Sequence, residues 1–230
     1  MAMQLDEVVP FGRSLDEYRL MFALSEADLQ KAIIGVADGP ASFNAEMQTK
    51  GRRVVSVDPL YVHKGHEIEQ QFYVVVDHII EQVKATPSDW VWTYHQSPDD
   101  LRKNRIQALT HFLADYERGV AERRYVVGAL PKLDWPDRSF NLALCSHFLF
   151  LYSDHFNYAF HRAAVVEMLR VADEVRVFPL VTLGLAVSPY VVRLQEELAA
   201  EGYMTEIVPV GYELQRGGNC MLTARRHDAR

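Results

Sequence analysis

The sequence predicts an α/β domain with a doubly wound, largely parallel sheet, helices on both faces and an antiparallel hairpin at the end of the chain. Three observations carry that prediction. Residues 31–61, KAIIGVADGPASFNAEMQTKGRRVVSVDPLY, run as apolar strand, short turn, helix and second strand ending on an acid. Downstream, short apolar runs alternate with helical patterns, as βα units require. Finally, two strand-like segments flank Gln215-Arg216-Gly217-Gly218, which reads as the tight turn of a hairpin.

The elements follow in chain order. Residues 14–29 are expected to form an amphipathic helix capped by Ser14, with Glu17 at capping-box spacing and Leu15, Tyr18, Met21 and Phe22 on one side. Ala32, Ile33, Ile34, Val36 and Ala37 make an apolar run short enough for a buried parallel strand. Val54, Val55 and Val57 repeat it one helix later. Between them Gly39 and Pro40 break the pattern, and the small residues Ala41 and Ser42 stand where a helix begins, so a ligand can approach main-chain N–H groups. Helical patterns near 65–84 and 98–121 come next, joined by a linker holding Trp90, Trp92 and Tyr94. That aromatic cluster reads either as a satellite core or as part of a lid over a pocket. The remaining expectations are strands at 125–127, 140–146, 174–180, 203–214 and 219–225, with helices at 156–171 and 189–201.

The turn between the first two strands and the acid that ends the second resemble the class I S-adenosylmethionine-dependent methyltransferases. In that family a Gly-rich first turn faces the methionine part of the cofactor, and an acid after the second strand holds the ribose hydroxyls; Gly39, Pro40 and Asp58 match. The segment LPKLDWPDRSFNL, 130–142, is similar to the family stretch that passes the adenine and enters the fourth strand. The resemblance covers most of residues 31–226 and implies a Rossmann-like seven-stranded sheet of order 3-2-1-4-5-7-6. It also implies S-adenosylmethionine as cofactor, with Asp38, Gly39, Pro40, Ala41, Asp58, Pro59, Ala129, Leu130, Ser146 and His147 around it. Phe148, Tyr61 and Tyr152 are the candidate walls of the substrate pocket, and His147 is the candidate general base.

The turn also departs from the family pattern. Gly35 stands where an acid is expected, Ala37 and Ala41 replace glycines, and Asp38 lies between them. Alanine restricts positive φ, so the turn is expected to differ from the family geometry, with Asp38 taking over the cofactor's amino group. Two roles stay open for Asp58, a ribose contact or a cap before Pro59. His147 is a base or merely bonds the backbone at a strand end.

Composition bounds the function. At 230 residues with 49% hydrophobic content, one domain spanning 1–230 is the economical reading, with a helical insertion at 62–122. A net charge of -7 gives no general attraction to phosphate backbones, so a small-molecule acceptor is favoured over nucleic acid. Only two cysteines, Cys145 and Cys220, occur, no apolar run reaches membrane-spanning length, and the first residues lack a signal-peptide pattern. A cytoplasmic protein without membrane attachment is expected; nothing fixes its oligomeric state. His63, His66 and Glu67 form no metal motif, so no metal is expected, and hydrolase-elbow and phosphate-loop patterns are missing. A non-catalytic binding or regulatory relative is the alternative function. A nicotinamide-dependent oxidoreductase also uses an acid on a ribose, but the hairpin and the single turn glycine argue against it.

Overall fold

The computed structural model describes residues 9–227. Seven strands form one sheet of order β3-β2-β1-β4-β5-β7-β6. In chain order these are β1 (Ile33–Val36), β2 (Val54–Val57), β3 (Tyr125–Val126), β4 (Phe140–Ser146), β5 (Ala172–Phe178), β6 (Tyr203–Pro209) and β7 (Cys220–Arg226). The first five run parallel, and β7 is antiparallel to both β5 and β6. The helices are α1 (Leu15–Met21), α2 (Phe43–Thr49), α3 (Gly65–Ala85), α4 (Pro98–Ala121), α5 (Tyr158–Val171) and α6 (Val191–Ala200). This is the sheet order, with an antiparallel pair at the end of the chain, that the sequence led us to expect.

The period-2 geometry of the strands divides the core in two. Ile33, Leu142 and Leu144 face one layer, packed against residues of α1, α2, α3 and α4. Their neighbours Ile34, Ala143 and Cys145 face the other, packed against α5 and α6. Because β1 and β4 are central strands covered on both faces, they read as continuous apolar runs. Each fully buried leucine here contributes about 1.5–3 kcal/mol, so Leu144→Ala in the middle of β4 costs about 2–5 kcal/mol.

Polar side chains fix the edge near β3. Asn44 of α2 donates to the carbonyls of Val54 and Arg124 and to Ser56 Oγ, tying helix to strands. Arg124 in turn pairs with Asp115 of α4 at 2.6 Å. Through this pair α4 is anchored beside β3, and α3 packs along α4.

Three expectations need correction. The helix expected over 14–29 keeps its Ser14–Glu17 capping box but ends at Met21, because Ala23 turns to φ +46 and the Leu24 N–H returns to the Arg19 carbonyl. The chain resumes only as a short 3-10 turn at Asp28–Gln30. The expected Gly-Gly hairpin is instead a ten-residue excursion: β6 stops at Pro209, which pairs with Cys220. Within it Tyr212 and Leu214 are drawn into the core, and only the tip, where the Gly218 N–H meets the Gln215 carbonyl, is a tight turn. Burial of two large side chains outweighed the local turn signal. Lastly, Ala37 does not shun positive φ; it adopts +56, the left-handed region expected of the glycine it replaces.

Candidate active site

The sheet order reverses between β1 and β4, and the loops leaving the carboxyl ends of β1, β2 and β4 meet there, where open α/β sheets bind ligands. A cleft at this point holds about 590 Å³ of empty space, part of it open to solvent. It is lined by Ala37, Asp38 and Gly39 after β1, Asp58 after β2, and Ser146, His147 and Phe148 at the end of β4. Val9–Phe11 and Arg13 roof it, and Gln71 reaches in from α3.

The β1 turn is held from every side. Asp58 Oδ2 accepts the Gly39 N–H at 2.8 Å, while the Tyr61 hydroxyl donates to the Gly39 carbonyl at 2.7 Å. Both main-chain polar groups of Gly39 are therefore engaged, yet a Cβ built on Gly39 would meet nothing within 4 Å. The glycine thus presents open space to the cleft, with φ +54 and room for a ligand to approach. Asp58 also caps the following 3-10 turn, accepting the Leu60 N–H on Oδ1 at 2.8 Å. Its capping role is realised, with carboxylate lone pairs still facing the cleft.

Asp38 is buried and accepts the Tyr18 hydroxyl and the Ser56 hydroxyl, each at 2.6 Å. Its carboxylate fills the space in front of Gly35: a Cβ on Gly35 would fall 2.0 Å from Asp38 Oδ2. Burial raises the Asp38 carboxyl to about 6, and the Asp58 charge adds to that, against the two hydroxyl donors. Burial likewise raises Asp58, opposed by its two backbone N–H donors. Two carboxylates with a thwarted tendency to ionise make a cleft that favours a cationic group.

His147, like Ala37, sits at a strand end with left-handed φ, here +51. Such strained backbone collects at functional sites. Its N–H donates to the Phe178 carbonyl at 2.6 Å, Nδ1 lies 2.9 Å from Ser146 Oγ, and its ring stands edge-on to Phe178. Burial, then the Arg13 and Arg105 charges, hold its pKa well below the usual histidine range, so it is neutral at pH 7.

A second cleft is also lined by His147. Ile79 and Val83 of α3, Trp90, Leu101 of α4, Leu151 and Leu183 line it, with Arg13, His147, Val9 and Phe11 common to both clefts. Tyr152 and Gln215 complete its walls. The linker is strapped over it: the Val91 N–H donates to the Leu214 carbonyl at 2.8 Å, and Arg216 donates through Nε to the Ser88 carbonyl at 2.7 Å. Arg216, though exposed, thus ties the β6–β7 excursion to the linker.

Of the sequence-derived candidates, Asp38, Gly39, Asp58, Ser146, His147 and Phe148 meet in the first cleft, and Tyr152 lines the second. Pro40 and Ala41 are buried beneath the N-terminal segment; a Cβ on Gly12 would lie 2.1 Å from the Pro40 carbonyl oxygen, and the Ser42 N–H donates to the Arg13 carbonyl. Tyr61 stands behind the turn, packed on Phe112 and Tyr116. Pro59, Ala129 and Leu130 lie outside both linings. Tyr18, Ser56 and Arg13 were not foreseen. A serine inside the apolar run of β2 was the one available signal; Arg13 had none.

Beneath the roof lies a buried ionic cluster. Glu17 accepts both terminal nitrogens of Arg105, at 2.8 Å for one of them, and the Tyr212 hydroxyl at 2.9 Å, with His95 Nε2 3.3 Å away. Arg105 also donates to the Gly12 carbonyl at 3.0 Å. Residues of α1, α4, the aromatic linker and the β6–β7 excursion are thereby joined to the segment that roofs both clefts.

Comparison with known proteins adds a family. The chain is 32% identical over 225 residues to the uncharacterized protein MJ0045 of Methanocaldococcus jannaschii, across 97% of this chain and 99% of that one. The chain belongs to the family of that archaeal protein. No family model matches it. Similar solved structures include magnesium protoporphyrin IX methyltransferase from Synechocystis PCC 6803 with bound SAM, at 12% identity and TM-score 0.48, covering 92% of this chain and 77% of that one. Another is a putative S-adenosyl-L-methionine-dependent methyltransferase from Methanococcus maripaludis, at 11% identity and TM-score 0.46, covering 94% and 84%. Among the described residues no helix is long and apolar enough to cross a membrane.

Proposed function

We propose that the protein is an S-adenosylmethionine-dependent methyltransferase acting on a small-molecule acceptor. The observation that carries this reading is the meeting of Asp38, Gly39 and Asp58 with His147 in one cleft where the sheet order reverses. The donor set fits the cofactor. Asp58 is placed for ribose hydroxyls, the open face of Gly39 admits close approach, and Asp38 offers negative charge to an ammonium group. S-adenosylmethionine, when bound, supplies a methyl group on a sulfonium centre.

The remaining work falls to the chain. Methyl transfer is an in-line displacement, so alignment of two ligands is the main requirement. The two clefts share the wall around His147, which sets donor and acceptor side by side. A neutral His147 accepts a proton from an acceptor that must lose one, and its depressed pKa makes it a weak base suited to readily ionised acceptors. Residues 62–122 act in this reading as an insertion that screens the acceptor from water, since Ile79, Val83, Trp90 and Leu101 wall the second cleft.

Calorimetric titration with S-adenosylmethionine, S-adenosylhomocysteine and NAD tests the assignment. Binding of the first two and not of NAD is expected. Preferential binding of NAD, or of none of the three, removes it.

A further inference from the structure

Around the second cleft the charges do not balance. Arg13 and Arg105 bring two guanidinium groups to the cluster and Glu17 one carboxylate, which Arg105 engages through both terminal nitrogens. The histidines add no charge at neutral pH: burial lowers His95 as it lowers His147. Tyr212, buried and beside Glu17, is pushed up and stays protonated. Among the described residues the cluster therefore carries one net positive charge in a buried place, where an unpaired ion is costly.

That charge resides on Arg13. Among the described residues its side chain donates to one partner, through a terminal nitrogen to the Phe11 carbonyl at 2.8 Å, and its buried Nε has none. Burial, with the neighbouring Arg105 charge, lowers its pKa to about 10, which still leaves it charged at neutral pH. Arg13 lines the second cleft together with aliphatic side chains, Trp90, His147 and Gln215, and among the described residues no carboxylate lines that cleft; the carboxylates of Asp38 and Asp58 line the first cleft, which Arg13 shares. Among the described residues that line it, an amine or other cation placed there meets only like charge. An apolar body meets Ile79, Val83, Leu151 and Trp90.

We infer that the second cleft takes an acceptor with an apolar, ring-bearing body and an anionic carboxylate end, the carboxylate pairing with Arg13 and the body lying against Trp90. This rests on the methyl-transfer reading for the word acceptor, but not for the binding itself. A planar guanidinium with free N–H groups matches a carboxylate's two oxygens, and such charge-assisted pairs are the stronger hydrogen bonds.

The probes are benzoate, phenylacetate and 3-phenylpropionate, each compared with its amide, titrated calorimetrically into the full chain with and without S-adenosylhomocysteine. Folding of each variant is checked by its thermal transition. The expected result is that at least one carboxylate binds about tenfold or more tightly than its amide, that Arg13→Gln abolishes this preference, and that Arg13→Lys retains part of it. Leu183→Trp, which fills the second cleft, should block the carboxylate and leave S-adenosylhomocysteine binding in place. Equal binding of acids and amides, or binding of neither, overturns the proposal. So does an Arg13→Gln variant that keeps the preference but loses S-adenosylhomocysteine, which gives Arg13 to the cofactor's own carboxylate. Failure of S-adenosylhomocysteine to bind, with the acid preference intact, removes the methyltransferase reading instead.

Discussion

The carboxylate of Asp38 occupies the space that a side chain at Gly35 would fill, its Oδ2 lying 2.0 Å from where a Cβ on Gly35 would stand. An acid borne three residues later thus folds back over the end of β1, and Gly35 is the residue that makes room for it. Gly35→Ala should therefore push Asp38 out, costing about 1–3 kcal/mol of stability by overpacking and weakening the cofactor. Thermal unfolding and a cofactor titration check this. Unchanged affinity in Gly35→Ala separates Asp38 from the ligand.

The Asp38 carboxyl also leaves a mark on stability against pH. Burial raises its pKa from the ordinary 3.8 of the unfolded chain to about 6, so the folded state holds the extra proton between those limits. Stability from this group is highest below pH 4, falls as pH rises to about 6, and remains lower by about 3 kcal/mol above that. Chemical denaturation from pH 4 to 8 should show this fall in the wild type and lose it in Asp38→Asn. A ligand with an ammonium group offsets it, so Asp38→Asn should weaken S-adenosylmethionine while scarcely affecting adenosine. Equal weakening of both ligands would point to collapse of the turn.

Asp58→Ala removes the clamp on the Gly39 N–H together with the proposed ribose contact. A loss of about 1.5–3 kcal/mol, roughly tenfold to hundredfold in S-adenosylhomocysteine affinity, is expected by calorimetry. A folded variant with wild-type affinity sinks the ribose assignment.

Glu17 is the opposite case in acid. Burial alone would raise its pKa, but the charge and hydrogen bonds of Arg105 overcome this and hold it well below the usual carboxylate range. Its contribution is present above about pH 4.5 and is lost as pH falls. Glu17→Gln leaves two guanidinium groups in the core with no carboxylate between them, and should cost about 3–5 kcal/mol. Replacing Glu17 and Arg105 together by Gln and Met should cost less than the two single changes added, as a double-mutant cycle would read.

The fold was legible because the strands announce themselves. Ile33–Val36, Val54–Val57 and Phe140–Ser146 are apolar runs bounded by turn residues, whereas the full sheet order was implied by the family resemblance and not by those runs alone. Element ends were less so, since Ala23 and Ala37 take left-handed φ that propensity disfavours. At the site, residues adjacent to strand ends could be read, namely Asp38, Asp58 and His147, because topology alone brings them together. Partners contributed by distant segments could not. Arg13 enters from the roof, Tyr18 from α1 and Gln215 from the β6–β7 excursion, and their positions depend on tertiary packing that leaves no periodic trace. Tyr61 illustrates the converse: its place after β2 suggested a pocket wall, and the structure sets it behind the turn as the donor to Gly39.

We propose that the first cleft holds the nucleoside on Asp58 and the amino-acid end by Asp38, with the sulfur toward His147 and the second cleft. A crystal structure of the protein with S-adenosylhomocysteine tests this most directly. The expected structure has ribose hydroxyls on the Asp58 carboxylate, the ammonium group within hydrogen-bonding distance of Asp38, and the thioether facing the wall shared with the second cleft. A ligand bound away from Asp58, or one whose sulfur points from His147, would contradict it.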